Sequence, residues 1–473
     1  MASGINEVHT AWKGGRYMRP RFVGEGGRSF FRLKTYYSNL SLPLSGPLTQ
    51  SIADDQDATL VRSVLVGSDD AGNYRNVKTD FKGDLNVSVE NPTTAFGEIQ
   101  IAQLEPLLQI LHPYELNQDL ISTGNTTASG NITYDSGTTM IQINSGAASS
   151  SSGIATTRKL VKYRNGQGLV VRFTALFDTS VSGNEQWVGW GDSDDGYFFG
   201  YSGTTFGVLR RNSASGDVFT PQTSWNIDLM DGSSGSNNPS DQTLDQTKGN
   251  VYQIQTQWLG YGTITFFIES SNSGKFEPVH QIKYANQNTV PSSINPTFPL
   301  WIESTNTTNS TDITIQNASL AAFNEGPIRY TGPTKAFGNA AATTTNTAVF
   351  SLRNPTTYKG KTNRSRIKLT SLNVYADQSN ADPVNFTLVL DPTFGTSPTW
   401  NSFGNYTAIE TDTVGTYSTG GTPIFQTGVQ EVGATTVDLT TYDIFLNPGE
   451  VLMVIGDGSN TGAGASLTWV EDL

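Results

Sequence analysis

The residues whose types and spacing could do chemistry fall into three groups. The first is the loop GDSDDG (191–196), which sets Asp192, Asp194 and Asp195 in one turn. Carboxylates crowded between glycines are the hard oxygen donors that Ca²⁺ takes, so these three are the expected ligands if a metal is bound; no other cofactor is expected. The loop lacks the EF-hand spacing and its terminal Glu, and Asp and Gly also build ordinary turns. The second group flanks that loop: Trp187, Trp190, Tyr197, Phe198, Phe199 and Tyr201. Aromatic rings can stack on sugar rings, which makes Trp187, Trp190, Tyr197 and Tyr201 the expected glycan-binding set. The alternation of a strand, however, sends Trp187 and Trp190 to opposite faces, and Phe198 and Phe199 likewise. One face must then be core, and packing in the core or against another subunit is the reading preferred over sugar binding. The third group is Lys13, Arg16, Arg19, Arg21, Arg28 and Arg32, basic residues interleaved with aromatics and glycines. They are the expected anchoring residues.

Other chemistries find little support. The three histidines, His9, His112 and His280, lie far apart and lack metal-type spacing. His280, in PVHQIKY, reads as structural. There is no Gly-x-Ser-x-Gly elbow, and the chain has no cysteine. NGQG (165–168) is a hairpin signal rather than a phosphate loop, because no Lys-Ser/Thr follows it. Glu269 and Glu303 stand singly on strand-like segments, without the paired carboxylates of a glycosidase. The sequence alone therefore predicts no catalytic activity.

The elements that must position these residues are strands. Of 473 residues 48 are Gly, charged residues are 15% and aromatics 10%. Charged residues make up about 25% of ordinary soluble domains, and the difference here is filled by Gly, Ser, Thr and Asn. That describes short strands joined by turns, with enough aromatics to build cores. The expected fold is all-β. It begins with a basic arm over 1–57 and a small meander and linker over 58–122. A large sandwich over 123–328 and a smaller one over 329–473 follow, divided at GPIRYTGP (326–333). Residues 96–122 read as a linker strand leading to the next domain; Leu104, Leu107, Leu108 and Leu111 also lie at helical spacing, so a short helix with Pro106 at its first position is the alternative for part of it.

Charge is unevenly spread. Residues 1–36 carry seven basic residues against two acids, +5, leaving 22 basic against 40 acidic, −18, in a chain of net charge −13. A basic, aromatic arm on an acidic body reads as docking onto an acidic protein surface, ahead of nucleic acid. Residues 1–20 have no apolar core of a secretion signal, and no run of 18 apolar residues could span a membrane. Without disulfides, contacts between copies are expected to add stability, with a trimer the expected homo-oligomer.

Several segments together resemble a family of virion structural proteins of tailed phages and large algal DNA viruses. They are FGEIQIAQLEPLLQI (96–110), RKLVKYRNGQGLVVRFTALFD (158–178), QWVGWGDSDDGYFFGYSGTTFGVLRR (186–211), FEPVHQIKYANQN (276–288), and YDIFLNPGEVLMVIG with SLTWVEDL at the end. The resemblance covers roughly residues 60–473 and leaves the arm unmatched. It implies a concanavalin-like jelly roll in the middle and a small C-terminal β-sandwich. It further implies a fibre, spike or capsid-decoration subunit on the virion surface, with capsid, neck or tail proteins as partners. The alternative, read from the aromatics of 187–201 rather than from the resemblance, is a lectin-like protein that binds host surface glycans.

Overall fold

The computed structural model describes residues 104–472, apart from 258, 295, 329–331 and 378–381, and four short strands nearer the N-terminus. The chain divides into two compact units, Met1–Ser88 and Val89–Leu473. In the first, Gly24–Glu25 pairs with Arg28–Ser29, and Val66–Ser68 pairs with Tyr74–Asn76, both antiparallel. Arg28 sits opposite Glu25 in its hairpin. Lys13, Arg16, Arg19, Arg21 and Arg32, and the expected strand over 85–90, lie outside the described residues.

The second unit holds two β-sandwiches. The main strands of the first are β1 (Leu104–Leu111), β2 (Ser152–Thr157), β3 (Leu169–Ala175), β4 (Asn184–Gly191), β5 (Asp195–Ser202), β6 (Thr205–Asn212), β7 (Val218–Pro221), β8 (Asn250–Thr256), β9 (Ile264–Glu269), β10 (Phe276–Ile282), β11 (Leu300–Asn306) and β12 (Ser319–Glu325). One sheet runs β10-β9-β8-β3-β12-β1; the facing sheet runs β7-β6-β5-β4-β11-β2 and ends on Ile121–Ser122. The order of strands is that of a jelly roll, with neighbours drawn from distant parts of the chain and every pairing antiparallel. Between the sheets Phe173, Phe199, Tyr252 and Phe266 pack ring against ring, Phe199 lying 4.9 Å from Tyr252 and 5.2 Å from Phe266. All four are fully buried. A buried aromatic of this size contributes about 1.5–3 kcal/mol, and a cluster of them replaces what disulfides would supply.

Of the two readings of the linker segment, strand and short helix, the structure shows the strand, β1. Its leucines fit a helix and a strand equally. What decides is the partner: β1 pairs with β12 from Leu111↔Ser319 to Leu104↔Glu325, and a bulge places Pro106 opposite Phe323. Proline is tolerated there because a bulge at a sheet edge does not need its N–H. Residues 104–111, ahead of the expected boundary at 123, are thus part of a sheet of the first sandwich. Among the described residues there is no α-helix, only two 3₁₀ turns, and no helix long and apolar enough to cross a membrane.

The second sandwich comprises β13 (Thr334–Thr343), β14 (Thr347–Arg353), β15 (Arg366–Ala376), β16 (Val384–Leu390), β17 (Glu410–Asp412), β18 (Thr422–Val429), β19 (Gly433–Asp438), β20 (Val451–Asp457) and β21 (Asn460–Asp472). Its sheets run β13-β21-β15-β19 and β17-β14-β20-β16-β18. Phe350, Leu369, Phe386, Leu467 and Trp469 fill the space between them.

Candidate functional site

The GDSDDG turn joins the two sandwiches. Asp192 Oδ1 accepts the backbone N–H groups of Asp194 and Asp195, both at 2.9 Å, which closes the turn between β4 and β5. Its other oxygen meets Arg364 of the second sandwich. Arg364 also lies 3.8 Å from Asp195 Oδ2 and over the Phe298 ring. Asp195 is 2% exposed, and burial pushes its carboxyl above the ordinary range. Its oxygens accept from Ser213 and from the Ile294 N–H. Asp194 faces solvent. The expected Ca²⁺ ligands thus do not converge. Two of the three are committed to a guanidinium, and among the described residues no group of three His, Asp or Glu is arranged to hold a metal. Lys159 and Asp443, 2.7 Å apart, and Arg366, which donates to the Leu160 carbonyl at 2.8 Å and covers the Phe445 ring, extend the same joint.

The expected stacking aromatics are inside the molecule. Trp190, Tyr197 and Tyr201 point between the sheets and belong to the main core. Trp190 Nε1 donates to the Val161 carbonyl, and the Tyr197 hydroxyl pairs with Ser292 at 2.7 Å. Burial pushes the Tyr197 phenol up to about 12. Trp187 points to the opposite face of its sheet, with Phe198, Leu209 and Trp301. There Gly200 leaves room for the indole, since a Cβ at Gly200 would come within 2.8 Å of the Trp187 ring. Trp187 is 2% exposed, so neither face of its ring is open to a sugar. None of the four offers a stacking platform. Glu303, on the same outer face, accepts from Trp301 Nε1 at 2.8 Å and pairs with Arg211 at 3.4 Å.

A cleft of about 480 Å³ opens instead at the free edge of the first sandwich, where β7 ends one sheet and β10 ends the other. Three features build it. Period-2 alternation in β6 puts Arg210 on the inner face with Phe206 and Val208, so a cation stands where core would continue. In β10 a bulge opposite Phe266/Phe267 leaves both Val279 and His280 buried; bulges re-aim side chains in this way. The segment 226–228 then closes on β10 through the Ile227 and Asp228 N–H groups, both to the Val279 carbonyl, and leaves the rest of the gap open.

Arg210, Lys283, His280, Thr220 and Gln287 supply the polar lining; Val218, Ile227 and Ile282 supply the apolar part. The Arg210 contacts, to Ser215 at 3.2 Å and the Ser292 carbonyl at 3.5 Å, both use Nη1. Its guanidinium lies over Tyr284, which stacks on the partly exposed Tyr261 at 6.2 Å. His280 is 7% exposed, and its Nδ1 is buried without a partner. Burial pushes the imidazole down to about 4, so it is neutral at pH 7. The sequence contained half of this signal: an Arg at an inward position of the apolar strand TFGVLRRN. That His280 lines a cleft was not legible in the sequence, because its place depends on a bulge and on a strand 70 residues away. A second depression, of about 340 Å³, lies on the outward face of β13-β21-β15-β19 over Gly338, Ala340 and Ser466; none of the residues that line it is charged.

The layers, strand order and facing sheets define the first sandwich as a concanavalin-like β-sandwich. No protein-family model and no curated protein matches the chain. Among solved structures it is similar to the cellulose-induced protein Cip1, at 12% identity over 46% of this chain and 96% of that one, with a TM-score of 0.30. It is similar to a putative beta-glucanase from Mycobacterium abscessus, at 11% identity over 46% of this chain and 99% of the other, TM-score 0.32. It is also similar to the carbohydrate recognition domain of Emp46p, at 7% identity over 47% and 97%, TM-score 0.28. At these identities the likeness concerns fold alone. Because enzymes, the beta-glucanase among them, stand among the similar structures, the expectation that the chain has no catalytic activity is withdrawn.

Proposed function

We propose that the chain is a glycan-binding surface protein whose first sandwich holds the sugar in the cleft between β7 and β10. The observation that carries this reading is the cleft itself. Its volume suits a mono- or disaccharide, its walls mix hydroxyl, amide and cationic groups with aliphatic side chains, and the Tyr284–Tyr261 pair flanks its arginine. A glycan array probed with the whole chain, with and without chelator, tests it. Binding is expected in both conditions and should vanish in Thr220→Trp, which fills the cleft. Failure of every glycan to bind in either condition would remove the proposal.

The setting we propose is the surface of a virus particle, as a fibre or decoration subunit held by the arm. The charge partition, +5 in residues 1–36 on a body of −18, favours it. Deleting residues 1–50 should leave a soluble body that no longer joins particles. Continued incorporation would place the anchor elsewhere.

A further inference from the structure

We infer that the ligand of the β7–β10 cleft is an acidic sugar, its anionic group held by Arg210 with Lys283 at the rim and His280 against a neighbouring hydroxyl. This rests on the glycan reading above and specifies it. Four observations lead to it. First, the cleft is lined by two permanent cations and a histidine, with no Asp or Glu among its lining residues, in a chain of net charge −13. Such a concentration of positive charge on an acidic protein selects for anions by local field. Second, Arg210 is 6% exposed and uses only Nη1 on the protein. Among the described residues it has no carboxylate partner. A largely buried guanidinium without a counter-ion is costly, and an anionic ligand supplies one. The remaining N–H groups offer the planar fork that fits a carboxylate or sulfate in two parallel hydrogen bonds.

Third, His280 lines the cleft and makes no hydrogen bond among the described residues, and its Nδ1 is buried without a partner. Among these residues no protein group engages the ring by a hydrogen bond, so its second nitrogen is not committed elsewhere. With Nδ1 enclosed, Nε2 is the atom left for the sugar. Fourth, the other amides on the walls are already spent. Asn226 exchanges two hydrogen bonds with the Gln281 backbone, at 2.8 and 2.9 Å, and Gln281 Nε2 donates to Thr265. The groups free to recognise a ligand are therefore the cationic ones together with Thr220 and Gln287. A neutral sugar would leave Arg210 uncompensated; an acidic one would not.

The test compares a trigalacturonate with its methyl ester, which keeps the rings and removes the charge, and adds a sulfated disaccharide to separate carboxylate from sulfate. Titration calorimetry on the whole chain should give at least about tenfold tighter binding of the charged forms than of the ester, weakening as salt is raised. Arg210→Gln should remove that preference. Because Arg210 also holds Ser215 and Ser292, Lys283→Gln at the exposed rim is the variant that keeps the fold, and a several-fold loss is expected for acid but not for ester. Equal affinity for acid and ester, unchanged in Lys283→Gln, would overturn the acidic-sugar inference and leave glycan binding standing. Absence of binding to all three and to every arrayed glycan would remove both.

Discussion

At the scale of single residues, two aromatic positions and one histidine carry the argument. Trp190 is fully buried between the sheets against Phe298, at 5.0 Å, and donates to the Val161 carbonyl. Trp190→Ala should therefore lower stability by about 3–5 kcal/mol, read by chemical denaturation, and affect binding only through that loss. A stable Trp190→Ala variant would restore a surface role for the ring. His280 gives a pH prediction whose sign is fixed by burial. Its folded value, about 4, lies below the ordinary 6.5, so below pH 6.5 the unfolded chain takes up the proton first. The stability associated with the neutral ring is complete above pH 6.5 and is lost as pH falls through 4, on the order of 2–3 kcal/mol in all. Arg210 and Lys283, which face the same cleft, also oppose the charge. Between pH 7 and 4 the melting temperature of the wild type should fall more steeply than that of His280→Leu, which has no such proton to take up; parallel curves would show that His280 titrates normally. Alternation within QWVGW and GYFFGY was legible in the sequence and set Trp187 against Trp190 and Phe198 against Phe199 correctly. What was not legible was that the outward face also closes over its rings, because that depends on Trp301 and Phe219, which lie 114 and 32 positions from Trp187 along the chain.

At the scale of elements, strand existence was readable and strand partnership was not. Segments such as QIQT (253–256) or TAVFSLR (347–353) announce themselves by β-branched residues and turn signals. LEPLLQIL (104–111) satisfies two periods, and only pairing with β12 decides between them. The Asp192 turn shows the same limit: its acids and Arg364 are about 170 residues apart, so a metal site and an ion-paired joint look alike until the sandwiches meet. That joint makes a prediction. Arg364 is 9% exposed and serves both Asp192 and Asp195. Arg364→Met should leave the buried Asp195 short of its cation and cost about 3 kcal/mol. The two sandwiches, coupled partly through this contact, should then melt in two calorimetric steps instead of one. A single unshifted transition would mean that Lys159–Asp443 and Arg366 hold the joint by themselves.

At the scale of the whole molecule, the unit Val89–Leu473 contains both hydrophobic cores. Folding of residues 89–473 should thus not require the arm, and the truncated protein should melt within a few degrees of the full chain. Assembly is a separate question. A chain without cysteine gains stability from neighbouring copies only by mass action, and we propose that the arms make the trimer. Light scattering should then give about three times the 51.0 kDa chain mass for the full protein and one chain mass for residues 89–473. If the truncated protein is also trimeric, the contact lies in the sandwiches. The place to look is then β13, a ten-residue strand at the end of its sheet. An edge of that length presents unpaired backbone groups to a second copy, and a Pro substitution at an outward N–H of β13 would break that pairing while leaving the arm untouched.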